Sequence, residues 1–322
     1  MPTLTKTMKA IVINQYGGTE VLKTQEMSVP EPLGRQLLVK VCATSVNPVD
    51  YKIRNGLFGT LVKFPAILGF DVAGVVERVG DKVTDFKVGD EVYYFPRILG
   101  WQGAYAEYHL VEEEIVSRKP SNLSFEEAAS IPLVGCTAWD ALIERAKVSL
   151  GETVLIHAGS GGVGSFAIQL AKLSGAYVYT TCSSKNFDLV KKLGADKIID
   201  YKKEDFVKVI MNDTNNQGVD VIFDTAGGEI LTRSIDVAKP FARISSIVRV
   251  SANLEKAYLK NIDLHFVFVQ SGRHKLDVIR NLLERNQVKP VIDSIISLND
   301  IPKAHERLEA GGVRGKIVVK VV

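Results

Sequence analysis

The sequence has little cysteine, no block of one-signed charge and no long apolar run, and each scarcity removes a class of protein. Of its 322 residues only three are cysteine: Cys42, Cys136 and Cys182. An odd number at such wide spacing makes neither a disulfide framework nor a C-x-x-C metal pair, and it fits a reducing compartment. No segment approaches the roughly 18 uninterrupted apolar residues of a membrane span. The opening MPTLTKTMKAIVINQYGG has no apolar core of signal-peptide length. A cytoplasmic protein is therefore expected. Lys and Arg number 40 against 37 Asp and Glu, for a formal charge of +3, and they are scattered. This argues against nucleic acid or membrane partners. The five histidines, His109, His157, His265, His274 and His305, are dispersed and read as structural rather than as metal ligands.

Apolar material is present in quantity. Hydrophobic residues make up 46% and charged residues 24%, the balance of a soluble globular chain. The length suits about two domains. Residues 8–14, 36–43 and 70–79 have strand-like patterns, separated by turn signals at Gly17-Gly18, Pro30-Glu31-Pro32 and Asn47-Pro48. This region reads as a largely antiparallel β domain. Near residue 122 the character changes: Ser124 precedes FEEAAS, with acidic residues in the first turn of a helix. From about 150 to 270 strands and helices alternate: strands 153–157, 176–181, 197–200, 219–224 and 243–248, with helices 163–174, 185–193, 204–211 and 229–239 between them. Such alternation means right-handed crossovers and a parallel sheet. A helix over 274–286 and an apolar β run over 316–322 follow. The β domain is thus expected to be completed by the C-terminal segment, with the α/β domain inserted into it.

The strongest motif is HAGSGGVG, residues 157–164, in which Gly159, Ser160, Gly161, Gly162, Val163 and Gly164 form a G-x-G-x-x-G loop between a strand and a helix. Gly159 is expected to permit the tight turn, Gly161 to let backbone approach a pyrophosphate, and Gly164 to allow close packing. The helix N-terminus offers free N–H groups to phosphate. Enzymes that use NAD usually carry Asp or Glu near the end of the second strand, on the ribose hydroxyls. Here that strand ends TTCSSK, without an acid. Ser183 and Lys185 suit a 2′-phosphate, which points to NADPH.

These motifs, together with NPVDYKIRNG (47–56), PAILGFDVAGVVERVG (65–80), FKVGDEVY (86–93), IPLVGCTAWDAL (131–142), KKLGADKIIDY (191–201), VIFDTAGG (221–228) and RGKIVVKV (314–321), run nearly the length of the chain. In that order they resemble the medium-chain dehydrogenase/reductases, in particular their zinc-free quinone oxidoreductase branch. The resemblance implies an α/β protein with a Rossmann doubly wound parallel sheet inserted into a GroES-like, mainly β catalytic domain. The expected division is catalytic domain 1–125, Rossmann NADPH-binding domain 126–268, and completion of the catalytic domain by 269–322. It implies a homodimer. It implies that Asn47, Tyr51 and Thr137 line the nicotinamide and substrate end, and that Ser183, Lys185 and Tyr201 surround the 2′-phosphate. Further cofactor contacts are implied for Ala226, Ile247, Val248, Arg314 and Lys316.

Departures from the zinc-dependent relatives are informative. Those relatives place a Cys ligand where Asn47 stands and a His-Glu pair where Phe70-Asp71 stands, and they carry a four-Cys lobe for which this chain lacks the cysteines. No metal is therefore expected. Without a Lewis acid, alcohol oxidation fits poorly, whereas a quinone or an α,β-unsaturated ketone is already electrophilic. The expected reaction is hydride transfer from NADPH to such an acceptor. Asn47 and Tyr51 would donate hydrogen bonds to the anion that forms. Tyr51, Phe58, Tyr93, Tyr94 and Trp101 are candidates for the acceptor pocket. Competing readings are a trans-2-enoyl thioester reductase, a zinc-independent alcohol or aldehyde reductase, and a non-catalytic NADPH-binding sensor.

Overall fold

Alternating and continuous apolar patterns fold into two kinds of sheet. The computed structural model describes residues 6–100, 102–249 and 251–322. The chain divides into two units. One holds the chain through Leu133, Gln270–Asn286 and Pro290–Val322; the other holds Val134–Val269 and Gln287–Lys289.

The first unit opens with β1 (Thr7–Ile13), β2 (Lys23–Ser28) and β3 (Gln36–Val46), then α1 (Pro48–Arg54), β4 (Ala66–Ile67), β5 (Val72–Val79), β6 (Glu91–Tyr94), β7 (Tyr108–Glu112), β8 (Ser117–Arg118) and α2 (Phe125–Ala129). β2, β1 and β4 form a small antiparallel sheet. The longest strand, β3, is antiparallel to both β5 and β7. Its QLLVKVCATSV run is buried along most of its length, as a strand covered on both faces requires. Ser124 starts α2 with a reciprocal cap: its hydroxyl accepts the Glu127 N–H at 3.1 Å, and the Glu127 carboxylate accepts the Ser124 N–H at 2.9 Å. Ser124→Ala should lower stability by about 1 kcal/mol. In urea unfolding this appears as a lower midpoint with an unchanged slope; an unchanged midpoint would deny the cap its weight.

In the second unit the chain runs α3 (Pro132–Trp139), β9 (Thr153–Ile156), α4 (Gly162–Leu173), β10 (Tyr177–Cys182), α5 (Phe187–Lys192), β11 (Lys197–Asp200), α6 (Phe206–Asp213), β12 (Val219–Asp224), α7 (Gly228–Ser234), β13 (Ala238–Ser246), α8 (Glu255–Leu259) and β14 (Asp263–Phe266). The sheet order is β11-β10-β9-β12-β13-β14, every neighbour parallel. In order of appearance that is 3-2-1-4-5-6, the doubly wound arrangement, with its switch between β9 and β12. Leu155, Tyr179, Ile199, Ile222 and Ile244, one from each of five strands, join Phe206, Ile210 and Leu231 in its core.

The chain then completes the first unit with α9 (Arg273–Glu284), β15 (Ile292–Ser297), α10 (Ile301–Ala310) and β16 (Lys316–Lys320). β16 is antiparallel to β3, with Ile317 opposite Val46, and β15 lies parallel to β16. This register sets Lys316 beside Asn47.

Three boundaries differ from the sequence reading. Residues 126–133 belong with the β unit, because α2 packs on β3, β5, β6 and β16. Gln287–Lys289 belongs with the parallel-sheet unit, where the Gln169 amide exchanges two hydrogen bonds, of 3.0 and 2.8 Å, with the Lys289 backbone. The helix expected over 229–239 ends at Ser234, with one 3-10 turn before β13 begins at Ala238. Pro240 bars a helix from running through 239, since it cannot donate and keeps the residue before it extended.

Candidate active site

In the parallel-sheet unit the predicted cofactor residues fall at one edge, where loops leave the carboxyl ends of adjacent strands. The glycine loop follows β9, Ser183 and Lys185 follow β10, Tyr201 follows β11, Ala226 follows β12, and Ile247 and Val248 follow β13. This is the edge at which doubly wound sheets bind ligands. The left-handed backbone in the glycine turn falls on Ala158, at φ 51°. Gly159 is needed for space: a Cβ there would lie 2.0 Å from the Thr180 hydroxyl and 2.9 Å from Ile168. At Gly164 a Cβ would lie 2.3 Å from the Ala158 carbonyl oxygen, so helix α4 and the turn touch backbone to backbone. At Gly161 a Cβ would meet nothing nearer than 3.4 Å, which leaves the N-terminus of α4 open to a phosphate. The residues present therefore fit a dinucleotide.

Other residues position this loop, and sequence reasoning passed over them. Thr181 accepts the Ala158 N–H on its hydroxyl at 3.2 Å and the Gly159 N–H on its carbonyl at 3.0 Å. Asn186, buried, donates its amide to the Ser160 hydroxyl at 2.9 Å and so ties the glycine loop to the segment carrying Lys185. Asp224, fully buried, accepts the backbone N–H groups of Ala226 and Gly227 at 3.0 and 2.8 Å and the Ser246 hydroxyl at 2.7 Å. It shapes the turn in which Gly227 takes φ 75°. Ser183 is buried, while Lys185 and Tyr201 are exposed. Thr137 is buried on α3. His157 is structural: it bridges the Thr181 and Ser234 hydroxyls at 3.1 and 2.8 Å, and burial holds it down at about 4.

In the β unit, residues 47–51 are not a turn between strands but the start of a helix. Pro48 occupies the first helical position and Asn47 the cap, and the Asp50 carboxylate accepts the Asn47 backbone N–H at 2.6 Å. Tyr51 lies on the first turn. Its side chain is half-buried, and its hydroxyl has no hydrogen-bond partner among the described residues. Burial and the Glu309 carboxylate both raise its pKa, so it stands as a neutral donor at neutral pH.

Asn47 is placed otherwise than expected. It is fully buried, its amide donates to Asp71 at 2.8 Å, and its amide oxygen accepts from the Lys316 ammonium. One of its two amide N–H groups is thereby committed to Asp71 and its amide oxygen to Lys316. Lys316, expected among the cofactor contacts, is held in the same centre. It is 4% exposed, and its three N–H groups meet three acceptors: the Val46 carbonyl at 3.1 Å, the Asn47 amide oxygen, and Asp71 at 3.3 Å. Asp71 also accepts from the Ser45 hydroxyl at 2.5 Å and the Leu133 N–H at 2.7 Å. Arg314 is exposed just before β16, with its backbone N–H on Asp293 at 3.1 Å.

A second buried chain secures α1. Arg54, 2% exposed, pairs both oxygens of Glu309 at 2.9 and 2.8 Å. It cannot accept, so its 3.2 Å contact makes His305 Nδ1 an acceptor and places the imidazole proton on Nε2. That nitrogen donates to the Tyr105 oxygen at 3.3 Å, and the Tyr105 hydroxyl donates to Asp50 at 2.8 Å. Burial and the Arg54 guanidinium hold His305 down at about 3, while burial pushes Asp50 up to about 7 against these donors. The result fixes α1 to α10 and to Tyr105 from both ends.

The position where zinc relatives hold their metal does not suit zinc here. Of Asn47, Phe70 and Asp71 only Asp71 is an ordinary ligand, its carboxylate already takes four donors, and an ammonium lies 3.3 Å from it. Of the aromatics expected around an acceptor, Tyr93 and Tyr94 are instead fully buried core residues. Tyr93 donates to the Leu276 carbonyl at 2.6 Å, and Tyr94 bonds His109 at 2.9 Å. Phe58 is half-buried, and Trp101 lies outside the described residues.

Known proteins agree with this architecture. Residues 34–121 match the alcohol dehydrogenase GroES-like domain and residues 193–319 the zinc-binding dehydrogenase family. The 2-methylene-furan-3-one reductase of Solanum lycopersicum is 38% identical over 97% of this chain and 79% of its own length. The chloroplastic NADPH-dependent alkenal/one oxidoreductase of Arabidopsis thaliana is 36% identical over 98% and 80%. The quinone oxidoreductase structure from Coxiella burnetii superposes with a TM-score of 0.91 at 38% identity, over 98% of this chain and all of that one. Among the described residues no helix is long and apolar enough to cross a membrane. The chain belongs to the medium-chain dehydrogenase/reductase superfamily, and it is an oxidoreductase that works with a nicotinamide cofactor.

Proposed function

We propose that this protein is an NADPH-dependent, zinc-independent reductase of quinones or α,β-unsaturated carbonyl compounds. The observation that carries the reading is the centre beneath α1, where an ammonium is bound between Asn47 and Asp71 in place of a metal-ligand set. The names of the tomato, Arabidopsis and Coxiella relatives support the acceptor class. When bound, the reduced nicotinamide supplies the hydride. The chain supplies a hydrogen bond to the oxygen that becomes anionic, and Tyr51 is the residue proposed for it. Its hydroxyl is unpaired among the described residues, and it carries no charge in the ground state. A neutral donor favours an anion over the neutral carbonyl, which is the difference catalysis requires. The proton that completes the reduction comes from Tyr51 or from water.

At the other end, Ser183, Lys185 and Tyr201 are proposed to hold the 2′-phosphate. The end of β10 carries no acid that would repel it. The three unpaired cysteines support residence in the cytoplasm, and a homodimer is proposed as the working form. The metal claim has a direct test. Elemental analysis of the purified protein should find no stoichiometric zinc, and NADPH oxidation with an enone should survive prolonged chelation undiminished. One zinc per chain, removed together with activity, would refute the zinc-independent reading.

A further inference from the structure

We propose that the Lys316 ammonium is a resident cation of the β unit, a positioning residue that holds Asn47 and Asp71 together and through Asn47 fixes the start of the helix carrying Tyr51. This rests on the role proposed for Tyr51 and extends it to a residue outside the reactive motif. β16 pairs with β3 so that Ile317 faces Val46, and this brings Lys316 to the last residue before α1. The ammonium has an acceptor for each N–H: the Val46 carbonyl, the Asn47 amide oxygen and the Asp71 carboxylate. Both neighbouring side chains are fully buried, and Lys316 itself is 4% exposed. A full set of acceptors is the arrangement that makes a buried cation tolerable.

The counter-charge is shared. Burial pulls the Lys316 pKa below the usual lysine range, and Asp71, which bonds the ammonium, and Asp50 oppose that shift. Without the ammonium, the Asn47 oxygen and the Val46 carbonyl would lose its N–H groups, and Asp71 would keep only the neutral donors Ser45, Asn47 and Leu133. The cap of α1 would then lose one of the two partners that fix its rotamer. Tyr51, four residues on, would lose its aim without losing its chemistry. The centre thus carries a built-in cation between Asn47 and Asp71.

The test is chemical rescue. Lys316→Ala should lower turnover of an enone roughly tenfold, in the range that misplacement of a supporting group costs. NADPH affinity should not change. Added n-propylammonium, the three carbons and nitrogen that the substitution removes, should restore turnover, while n-propanol and tetramethylammonium should not. Calorimetry should show n-propylammonium binding to the alanine variant and not to the wild type. That readout needs no turnover, so it stands or falls apart from the proposed reaction. A variant that turns over at the wild-type rate would overturn the proposal, as would one that binds no alkylammonium. Should the variant fail to fold, the wild-type protein still decides. Nitrogen-edited NMR at pH 7 should show a slowly exchanging NH3+ assigned to Lys316, absent in Lys316→Gln, and a neutral amine there would contradict the proposal.

Discussion

Lys185→Ala is expected to weaken NADPH binding about ten- to hundredfold, while NADH binding changes by less than about twofold. The estimate follows from the roughly 1.5–3 kcal/mol that a charge-assisted hydrogen bond contributes. Lys185 lies in the 3-10 turn directly after β10, where doubly wound domains meet the adenosine ribose. Its side chain is exposed, so part of the loss should be screened by salt. Asn186 is the adjoining residue, and its bond to Ser160 holds this turn against the glycine loop, so the cation is presented from a fixed backbone. Fluorescence titration of both cofactors with wild type and variant, at low and high salt, measures the effect. Equal wild-type affinity for the two cofactors would remove the ground for the assignment.

Tyr51→Phe is expected to lower turnover of enones and quinones about five- to thirtyfold, with NADPH affinity unchanged. A single donor in a demanding oxyanion site is worth about 2.7–4 kcal/mol. A conjugated acceptor spreads its own charge, so about 1–2 kcal/mol is expected here. The substitution removes one oxygen from a half-buried ring whose hydroxyl has no partner among the described residues, so the fold should be little affected. A loss in kcat with a matched loss in kcat/KM would identify a contact made only in the transition state. Wild-type rates with several acceptors would show that Tyr51 only packs.

The sequence was most legible where local rules decide. The strands of the parallel sheet, the glycine loop and the Ser124 cap follow from periodicity, turn chemistry and capping, all of which act over a few residues. It was least legible where distant segments meet. Nothing near Asn47 indicates that Lys316 will occupy its amide oxygen, because that contact exists only through the pairing of β16 with β3. A basic residue near the C-terminus reads as solvated or as a phosphate ligand until the sheet register is known. Tyr93 and Tyr94 looked like pocket aromatics for the same reason, and their burial depends on His109 and on the Leu276 carbonyl far along the chain. The NPVDY segment was misread at short range: Asn-Pro signals a turn, yet Asn, Pro and Asp at cap, first and third positions also open a helix.

The most direct test of the proposed function is oxidation of NADPH by the purified, metal-depleted protein, followed at 340 nm across quinones, short enones, alkenals and enoyl thioesters. The account predicts steady turnover with at least one quinone, enone or alkenal, slower turnover with NADH, and no gain on adding zinc. Absence of turnover with every acceptor, or turnover confined to alcohols with an oxidised cofactor and restored by zinc, would contradict it.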